Sequence, residues 1–151
     1  MTIRLEAPGQ ADVLALIAEL DAYQHSLYPP ESVYALDLAG VEQGNVLLAV
    51  VRDQTASAVA CGAVVLGAAY GEVKRMYVRP AYRGLGLARR LLATLESEAA
   101  KSGCRLLKLE TGPHHREALG LYAQCGYERR GPFGSYPDDP LSVFMQKHIS
   151  A

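Results

Sequence analysis

The sequence predicts one mixed α/β domain in which helices pack against a single sheet. Strand-like runs and longer runs with helical spacing follow in the order β-α-α-β-β-β-α-β-α-β-β, which is typical of this class. No internal repeat or linker divides residues 1–151. A chain of 151 residues has the length of one ordinary domain.

The first half of the chain predicts three strands and two helices. Residues 2–6 alternate as a strand does, and Asp12 is a candidate N-cap for a helix. That helix has apolar residues at helical spacing, namely Val13, Leu16, Ile17 and Leu20. A second, shorter helix is predicted from Glu31 or Ser32 to a point before Gly44. Residues 46–52 and 58–69 are predicted strands.

The second half begins with a predicted strand at 72–78. A helix follows that starts near Leu87 and stops at Ser102-Gly103, where a glycine suits a helix C-terminus. The remaining predicted elements are strands at 105–110, 127–130 and 141–147 and a helix at 117–125 that ends at Gly126.

Composition excludes several classes of protein. Half of the residues are hydrophobic, 21% are charged and the net charge is −1, so nothing favours binding to nucleic acid or membrane. The start has no signal-peptide core, and the longest run without charged or amide side chains, residues 56–71, is interrupted by glycines. We therefore expect a cytoplasmic protein. Cys61, Cys104 and Cys125 have no metal-ligand spacing and are predicted core residues.

A glycine-rich stretch, Arg83-Gly84-Leu85-Gly86-Leu87-Ala88, lies between a predicted strand and a predicted helix. Its small residues allow a tight turn and a close approach of a ligand. The N–H groups that begin the helix favour an anion, and Arg83 can donate to a phosphate. A dinucleotide fingerprint would need glycine at position 89, which is Arg89, and the Gly-Lys-Ser/Thr of a P-loop is missing. The stretch therefore predicts a diphosphate loop of another kind.

With the strand that precedes it, the pattern Arg-x-x-Gly-x-Ala resembles the acyl-CoA pyrophosphate loop of the GNAT family of N-acetyltransferases. Residues 118–127 are similar to the family signature A-x-x-L-Y-x-x-x-G-F/Y, and residues 131–147 look like a group of small bacterial members. The resemblance implies a GNAT fold for residues 1–151. This fold has a single central mixed, mostly antiparallel sheet flanked by about four helices.

The resemblance also implies an activity, transfer of the acetyl group of acetyl-CoA to a primary amine of a small molecule or peptide. The amine would attack directly within a ternary complex, and no metal is expected. The implied contacts to acetyl-CoA are Met76, Tyr77 and Val78, through their backbone, Arg83, Gly84, Leu85, Gly86, Leu87, Ala88, His115 and Tyr122. A GNAT-like module that binds acyl-CoA without turnover is the alternative.

Two residues are implied to carry the acid–base chemistry. Tyr122 would protonate the leaving thiolate, although it is also a suitable core tyrosine. Glu72 is the candidate base, since some family members carry a glutamate at the matching position. Strand alternation predicts that Glu72, Lys74, Met76 and Val78 share one face. The histidines at 114 and 115 are alternative bases, and many GNAT enzymes use no identifiable base.

The acceptor side is predicted from position in the fold. Tyr28 and Glu31 follow the first helix, and Tyr136 and Asp138 lie between the last two strands, with Asp139 as a further acidic candidate. Aromatic and acidic groups suit a pocket that attracts a cation, while Pro-Asp-Asp-Pro is also a good turn. Homodimers are frequent in the family, and no feature of the sequence decides between a monomer and a homodimer.

Overall fold

The computed structural model describes residues 1–33 and 45–150, which form a seven-stranded sheet with helices on both faces. The strands are β1 (Thr2–Leu5), β2 (Val46–Arg52), β3 (Ala58–Leu66), β4 (Gly71–Val78), β5 (Leu106–Thr111), β6 (Glu128–Arg130) and β7 (Val143–His148). The helices are α1 (Ala11–Leu27), α2 (Leu87–Lys101) and α3 (Arg116–Gln124), with single 3₁₀ turns at Pro30–Ser32 and Pro80–Tyr82.

The strand order is β1-β2-β3-β4-β5-β7-β6. Only β4 and β5 pair in parallel among these strands, and every other neighbouring pair is antiparallel. The predicted class, a mixed and mostly antiparallel sheet in an α/β fold, is therefore confirmed. The second helix predicted between Glu31 or Ser32 and Gly44 falls largely on residues 34–44, which lie outside the described residues.

Two local predictions are wrong. Asp12 does not cap α1, because the helix already begins at Ala11, and the Asp12 carboxylate instead pairs with Arg52 at 2.6 Å. The strand predicted to reach residue 69 ends at Leu66. There Gly67 donates its N–H to the Tyr70 carbonyl at 3.0 Å and turns the chain into β4.

Two apolar clusters cover the two faces of the sheet. The leucines of α2 pack on one face with Val73, Leu107 and Leu109, whereas Val13, Leu16 and Leu20 of α1 pack on the other. Each fully buried leucine stabilises the fold by about 1.5–3 kcal/mol relative to exposure. Cys61 belongs to the α1 cluster, where burial raises its pKa to about 12, as expected of a core thiol. Cys104 and Cys125 are partly buried.

A β-bulge in β4 changes which way its side chains face. Arg75 adopts a left-handed φ of 59°, and the register with β3 shifts between Cys61 and Ala63. Glu72 and Lys74 therefore lie on the face of the sheet that α1 covers, as do the β3 residues with which they pair. Met76 packs on the opposite face, against the apolar cluster under α2. The expectation of one shared face was wrong because an extra residue in a strand reverses the alternation.

The parallel pair β4–β5 is short, and this opens the sheet. Only Gly71–Val73 pair with Leu107–Leu109, although β4 continues to Val78 and β5 to Thr111. Beyond Val73 the two strands diverge at their carboxyl ends. In open α/β sheets, ligands bind at such an edge.

Candidate active site

A cleft of about 700 Å³ lies where β4 and β5 diverge. This is the size of an ordinary small-molecule site. Its walls come from the end of α1, the second half of β4, the loop before α2 and the β5–α3 loop. The predicted site residues that line it are Tyr28, Met76, Tyr77, Val78, Arg83, Gly84, Gly86, Leu87, Ala88, His114, His115 and Tyr122.

Six predicted site residues do not line this cleft, namely Glu31, Glu72, Leu85, Tyr136, Asp138 and Asp139. Leu85 is 59% exposed on the outside of the loop. Glu72 accepts a hydrogen bond from the Tyr136 hydroxyl, which also contacts Lys74 Nζ at 2.6 Å. Lys74 does line the cleft, so Glu72 and Tyr136 lie directly behind one of its walls.

The glycine-rich loop has the backbone conformation that its sequence predicts. Gly84 and Gly86 have φ of 81° and 75°, a region that costs other residues about 1–2 kcal/mol. A Cβ at either position would find no atom within 4 Å, so open space remains beside the backbone. Gly86 is the N-cap of α2, whose first turn holds Arg89 but no acidic residue. Because the helix dipole disfavours such a cation, a bound anion would relieve this arrangement.

The Arg83 side chain contacts β4 and α1 at the start of the glycine-rich loop. Its Nε donates to the Val78 carbonyl at 2.9 Å. Its guanidinium carbon is 5.8 Å from the ring centroids of both Tyr23 and Tyr77, within the range of cation–π contacts. The side chain thereby links α1 and β4 at the edge of the cleft.

Tyr122 reaches the cleft from the face covered by α2 and α3. It is 6% exposed, and no residue in 1–33 or 45–150 forms a hydrogen bond with its hydroxyl. Burial, with a smaller contribution from Cys125, raises the pKa of the phenol above its usual value. Tyr122 is therefore a neutral phenol at neutral pH, and its proton is available to a ligand in the cleft.

Glu110, which sequence reasoning missed, reaches the cleft from the opposite face. Leu107 and Leu109 point into the α2 cluster, so alternation along β5 turns Glu110 toward the α1 face. Burial raises its pKa to about 7, with a smaller upward contribution from the carboxylate of Glu72. Ser142 donates to it at 2.9 Å. The sequence shows this glutamate at the end of a strand, but only the divergence of β4 and β5 exposes it to a ligand.

Tyr28 joins the end of α1 to the β5–α3 loop. It is 7% exposed, and its hydroxyl accepts the backbone N–H of His114 at 2.9 Å. The same oxygen lies 3.0 Å from Nδ1 of His115, and the Tyr28 ring stacks on both imidazoles. A Cβ at position 112 would lie 1.9 Å from this oxygen, so Gly112 is needed for the approach. The sequence predicts that Tyr28 contacts the acceptor and that His115 contacts acetyl-CoA. In the structure the two side chains lie against each other.

His115 is neutral in this setting. Burial lowers its pKa, and the neighbouring His114 lowers it further. The edge of His115 also packs against Tyr23, with ring centroids 5.5 Å apart. Another polar group on the wall is Gln24, whose Oε1 is buried and accepts no hydrogen bond from the described part of the chain.

Residues 1–33 and 45–150 contain neither a candidate metal site nor a candidate membrane span. No group of three or more His, Cys, Asp or Glu side chains there could hold a metal ion. No helix there is both long enough and apolar enough to cross a membrane.

The chain is similar in sequence and in fold to known acetyltransferases. Residues 13–127 match the family described as the acetyltransferase (GNAT) family. The IAA acetyltransferase of Azospirillum brasilense is 44% identical over 151 residues, which cover 99% of this chain and 98% of that protein. A Klebsiella pneumoniae protein assigned as an acyl-CoA N-acyltransferase has a crystal structure with a TM-score of 0.89 and 42% identity. The match covers 98% of this chain and 97% of that one.

A more distant structure shares the fold. The PaiA N-acetyltransferase of Thermoplasma acidophilum, crystallised in complex with coenzyme A, has a TM-score of 0.72 at 15% identity. The match covers 99% of this chain and all of that chain, so the whole architecture is shared.

Proposed function

Because the chain belongs to the acetyltransferase (GNAT) family, we propose that it transfers the acetyl group of acetyl-CoA to a primary amine. The acceptor would be a small molecule or a peptide. One observation carries the proposal: a carboxyl group from one face of the sheet and a phenol from the other line the same opening between β4 and β5. Acetyl transfer to an ammonium requires a base on the acceptor side and an acid beside the leaving sulfur.

The cleft suits acetyl-CoA as the donor. The loop from Arg83 to Ala88 offers backbone N–H groups, two glycines with positive φ and an adjacent cation, which fit a diphosphate. Met76 to Val78 have no β5 partner, since the described pairing of β4 and β5 ends at Val73. This edge of β4 can pair with the extended arm of the cofactor, and its N–H groups can polarise the thioester carbonyl. His115 borders the same space.

We assign the base to Glu110 and the acid to Tyr122. Glu110 takes one proton from the acceptor ammonium, and the resulting amine attacks the thioester carbonyl carbon. The C–S bond then breaks, and Tyr122 gives its proton to the departing sulfur. The nitrogen loses a second proton as the amide forms, and this proton restores Tyr122 by way of solvent. A carboxyl with a pKa of about 7 is well matched to the first step.

Glu72 stays as the competing candidate for the base. It lies behind Lys74, where it accepts a hydrogen bond from Tyr136, and it does not line the cleft. In our proposal Glu72 and Tyr136 hold Lys74 in the wall. Glu31 and Asp138 would frame the acceptor only at the outer rim. We further propose that the protein acts in the cytoplasm, which suits its three free thiols.

The test is release of free thiol from acetyl-CoA across a panel of primary amines, with a blank lacking the acceptor to correct for protein cysteines. We expect release with at least one amine and a loss of 10-fold or more in Tyr122→Phe, as removal of a general acid causes (about 10²–10⁴). Glu110→Gln removes the proposed base, and Glu72→Gln, which removes the competing candidate, is its matched control. Binding of acetyl-CoA without release from any amine would favour the non-catalytic binding module instead.

A further inference from the structure

Three short segments of the chain meet on the side of the cleft where Glu110 lies. They are residues 28–33 after α1, residues 110–114 where β5 ends, and residues 139–142 before β7. Each of them lines the cleft, with Ser32 from the first segment, Glu110 from the second and Leu141 from the third. Because the segments are far apart in sequence, hydrogen bonds between them decide whether the wall that they form is continuous.

Two hydrogen bonds join the middle segment to the other two. The Tyr28 hydroxyl oxygen accepts the backbone N–H of His114 at 2.9 Å, which joins the segment after α1 to the end of β5. The Ser142 hydroxyl donates to the Glu110 carboxylate at 2.9 Å, which joins the end of β5 to the segment before β7. The proposed base is therefore itself a member of the wall.

A third hydrogen bond joins the two outer segments. The Ser32 hydroxyl donates to one oxygen of the Asp139 carboxylate at 2.7 Å, and the other oxygen accepts the backbone N–H of Leu141 at 2.8 Å. Hydrogen bonds to an ionised group are stronger than those between neutral groups, and Ser32 is only 9% exposed. Residues 28–33, 110–114 and 139–142 thus form a closed ring of chain and hydrogen bonds, the acceptor wall.

The proposed reaction places the acceptor between the thioester and this wall. In direct attack the acceptor nitrogen points at the thioester carbonyl carbon, which the N–H groups of β4 polarise, and it gives its proton to Glu110. The carbon skeleton of the acceptor must then extend away from the thioester, toward the wall. Because the three described segments are joined at every boundary between them, they limit how far that skeleton can reach.

We propose that the acceptor wall selects substrates by size and restricts the acceptor to a compact primary amine, an inference that rests on the proposed acetyl transfer. A peptide acceptor needs an open path along which its chain leaves the site, whether it reacts through a lysine or through its N-terminus. The hydrogen bond between Ser32 and Asp139 closes this path between the end of α1 and the segment before β7. The acceptor class is therefore a small molecule with an unhindered amino group.

The first experiment compares primary amines of increasing chain length with a hexapeptide that has a free N-terminus and one lysine. For the wild type we expect kcat/KM to fall abruptly once the amine meets the wall, by about 10–200-fold per added methylene, and the hexapeptide to remain unmodified. Acetylation of the hexapeptide with a kcat/KM equal to that of the best short amine would overturn the inference, although the proposed acetyl transfer would stand.

Ser32→Ala opens the acceptor wall at one hydrogen bond. Asp139 keeps its bond to the Leu141 N–H, so the segment before β7 stays folded. We expect the ratio of kcat/KM for the first excluded amine to that for the best short amine to rise by about 10-fold or more. An unchanged ratio would overturn the wall as the cause of size selection.

Two further variants show whether this change is specific. Ser32→Thr keeps the hydroxyl group and should keep the wild-type ratio. Ser102→Ala removes an exposed hydroxyl that donates to the Glu98 carbonyl at the end of α2, and as the matched control it should also leave the ratio unchanged. A rise of the same size in Ser102→Ala would contradict the assignment to the wall.

A binding measurement tests the inference without turnover. Calorimetry of each amine against protein saturated with coenzyme A gives the size limit from the affinities in this dead-end complex. A wild type that acetylates no amine would defeat the proposed function. The size limit would then be decided by whether the affinity falls at one chain length in the wild type and at a longer one in Ser32→Ala. Failure of every amine to bind the loaded protein would overturn both proposals.

Discussion

Glu110→Gln gives the most discriminating pH profile. A wild-type base with a pKa of about 7 loses its ionised form below that value. We therefore expect kcat/KM for the amine to fall about tenfold per pH unit below pH 7 and to level off above it. The plateau arises because the substrate for the ionised base is the ammonium form, which predominates until the pKa of the amine is reached.

In the Glu110→Gln variant only amine that is already neutral can react. Its kcat/KM should therefore keep rising through pH 8 without an inflection near 7, and at pH 7.5 it should be lower than wild type by about 10²–10⁴. The assay is thiol release at saturating acetyl-CoA from pH 5.5 to 9, with Glu72→Gln as the matched control. Loss of the inflection in Glu72→Gln and its retention in Glu110→Gln would refute our assignment of the base.

The remaining predictions concern stability and the glycines. The raised pKa of Glu110, from 4.5 to about 7, means that the folded state binds more protons than the unfolded state. Its contribution to stability is thus fully present below pH 4.5 and is lost as pH rises through 7. Denaturant titrations should show Glu110→Gln to be more stable than wild type above pH 7, by at most about 3 kcal/mol and by less to the extent that solvent screens the carboxylate. Gly86→Ala, at φ of 75°, should lower the free energy of unfolding by about 1–2 kcal/mol. It should also weaken acetyl-CoA binding in calorimetry, whereas Gly103→Ala, at φ of 91° beyond α2, should cost stability but leave binding unchanged. Gly112→Ala would place a methyl group 1.9 Å from the Tyr28 oxygen, so we expect a loss of about 1–3 kcal/mol and of the His115 hydrogen bond in ¹⁵N spectra. These expectations would be contradicted if Gly86→Ala bound acetyl-CoA as tightly as the wild type does, or if the His115 hydrogen bond were intact in Gly112→Ala.

The elements were predictable wherever local chemistry decides them. The leucines of α2 recur at helical spacing, and Gly103 and Gly126 end their helices at φ of 91° and 94°, a conformation that glycine adopts without strain. The loop from Arg83 to Ala88 was predictable for the same reason. The place of Asp12 in the first turn of α1 was not predictable, because its carboxylate pairs with Arg52, forty residues later in the chain.

The candidate site was predictable only in part. Arg83 to Ala88 and Tyr122 belong to contiguous motifs, whose spacing along the chain carries the signal. Glu110 has no motif around it. Its raised pKa depends on packing and on charges from β4 and from the segment before β7, and no pattern within β5 contains that information.

The sequence by itself determined the order of the elements, the conformation of the glycine-rich loop and the phenol on α3, because each depends on neighbours within a few residues. The tertiary structure alone decided three features. The side chains of β4 change faces at the bulge at Arg75, β4 diverges from β5, and the Tyr28 hydroxyl lies within hydrogen-bond distance of His115. These features depend on contacts between residues far apart in the chain. Strand alternation, a local rule, fails when a bulge shifts the register, and the same shift sets which side chains meet in the cleft.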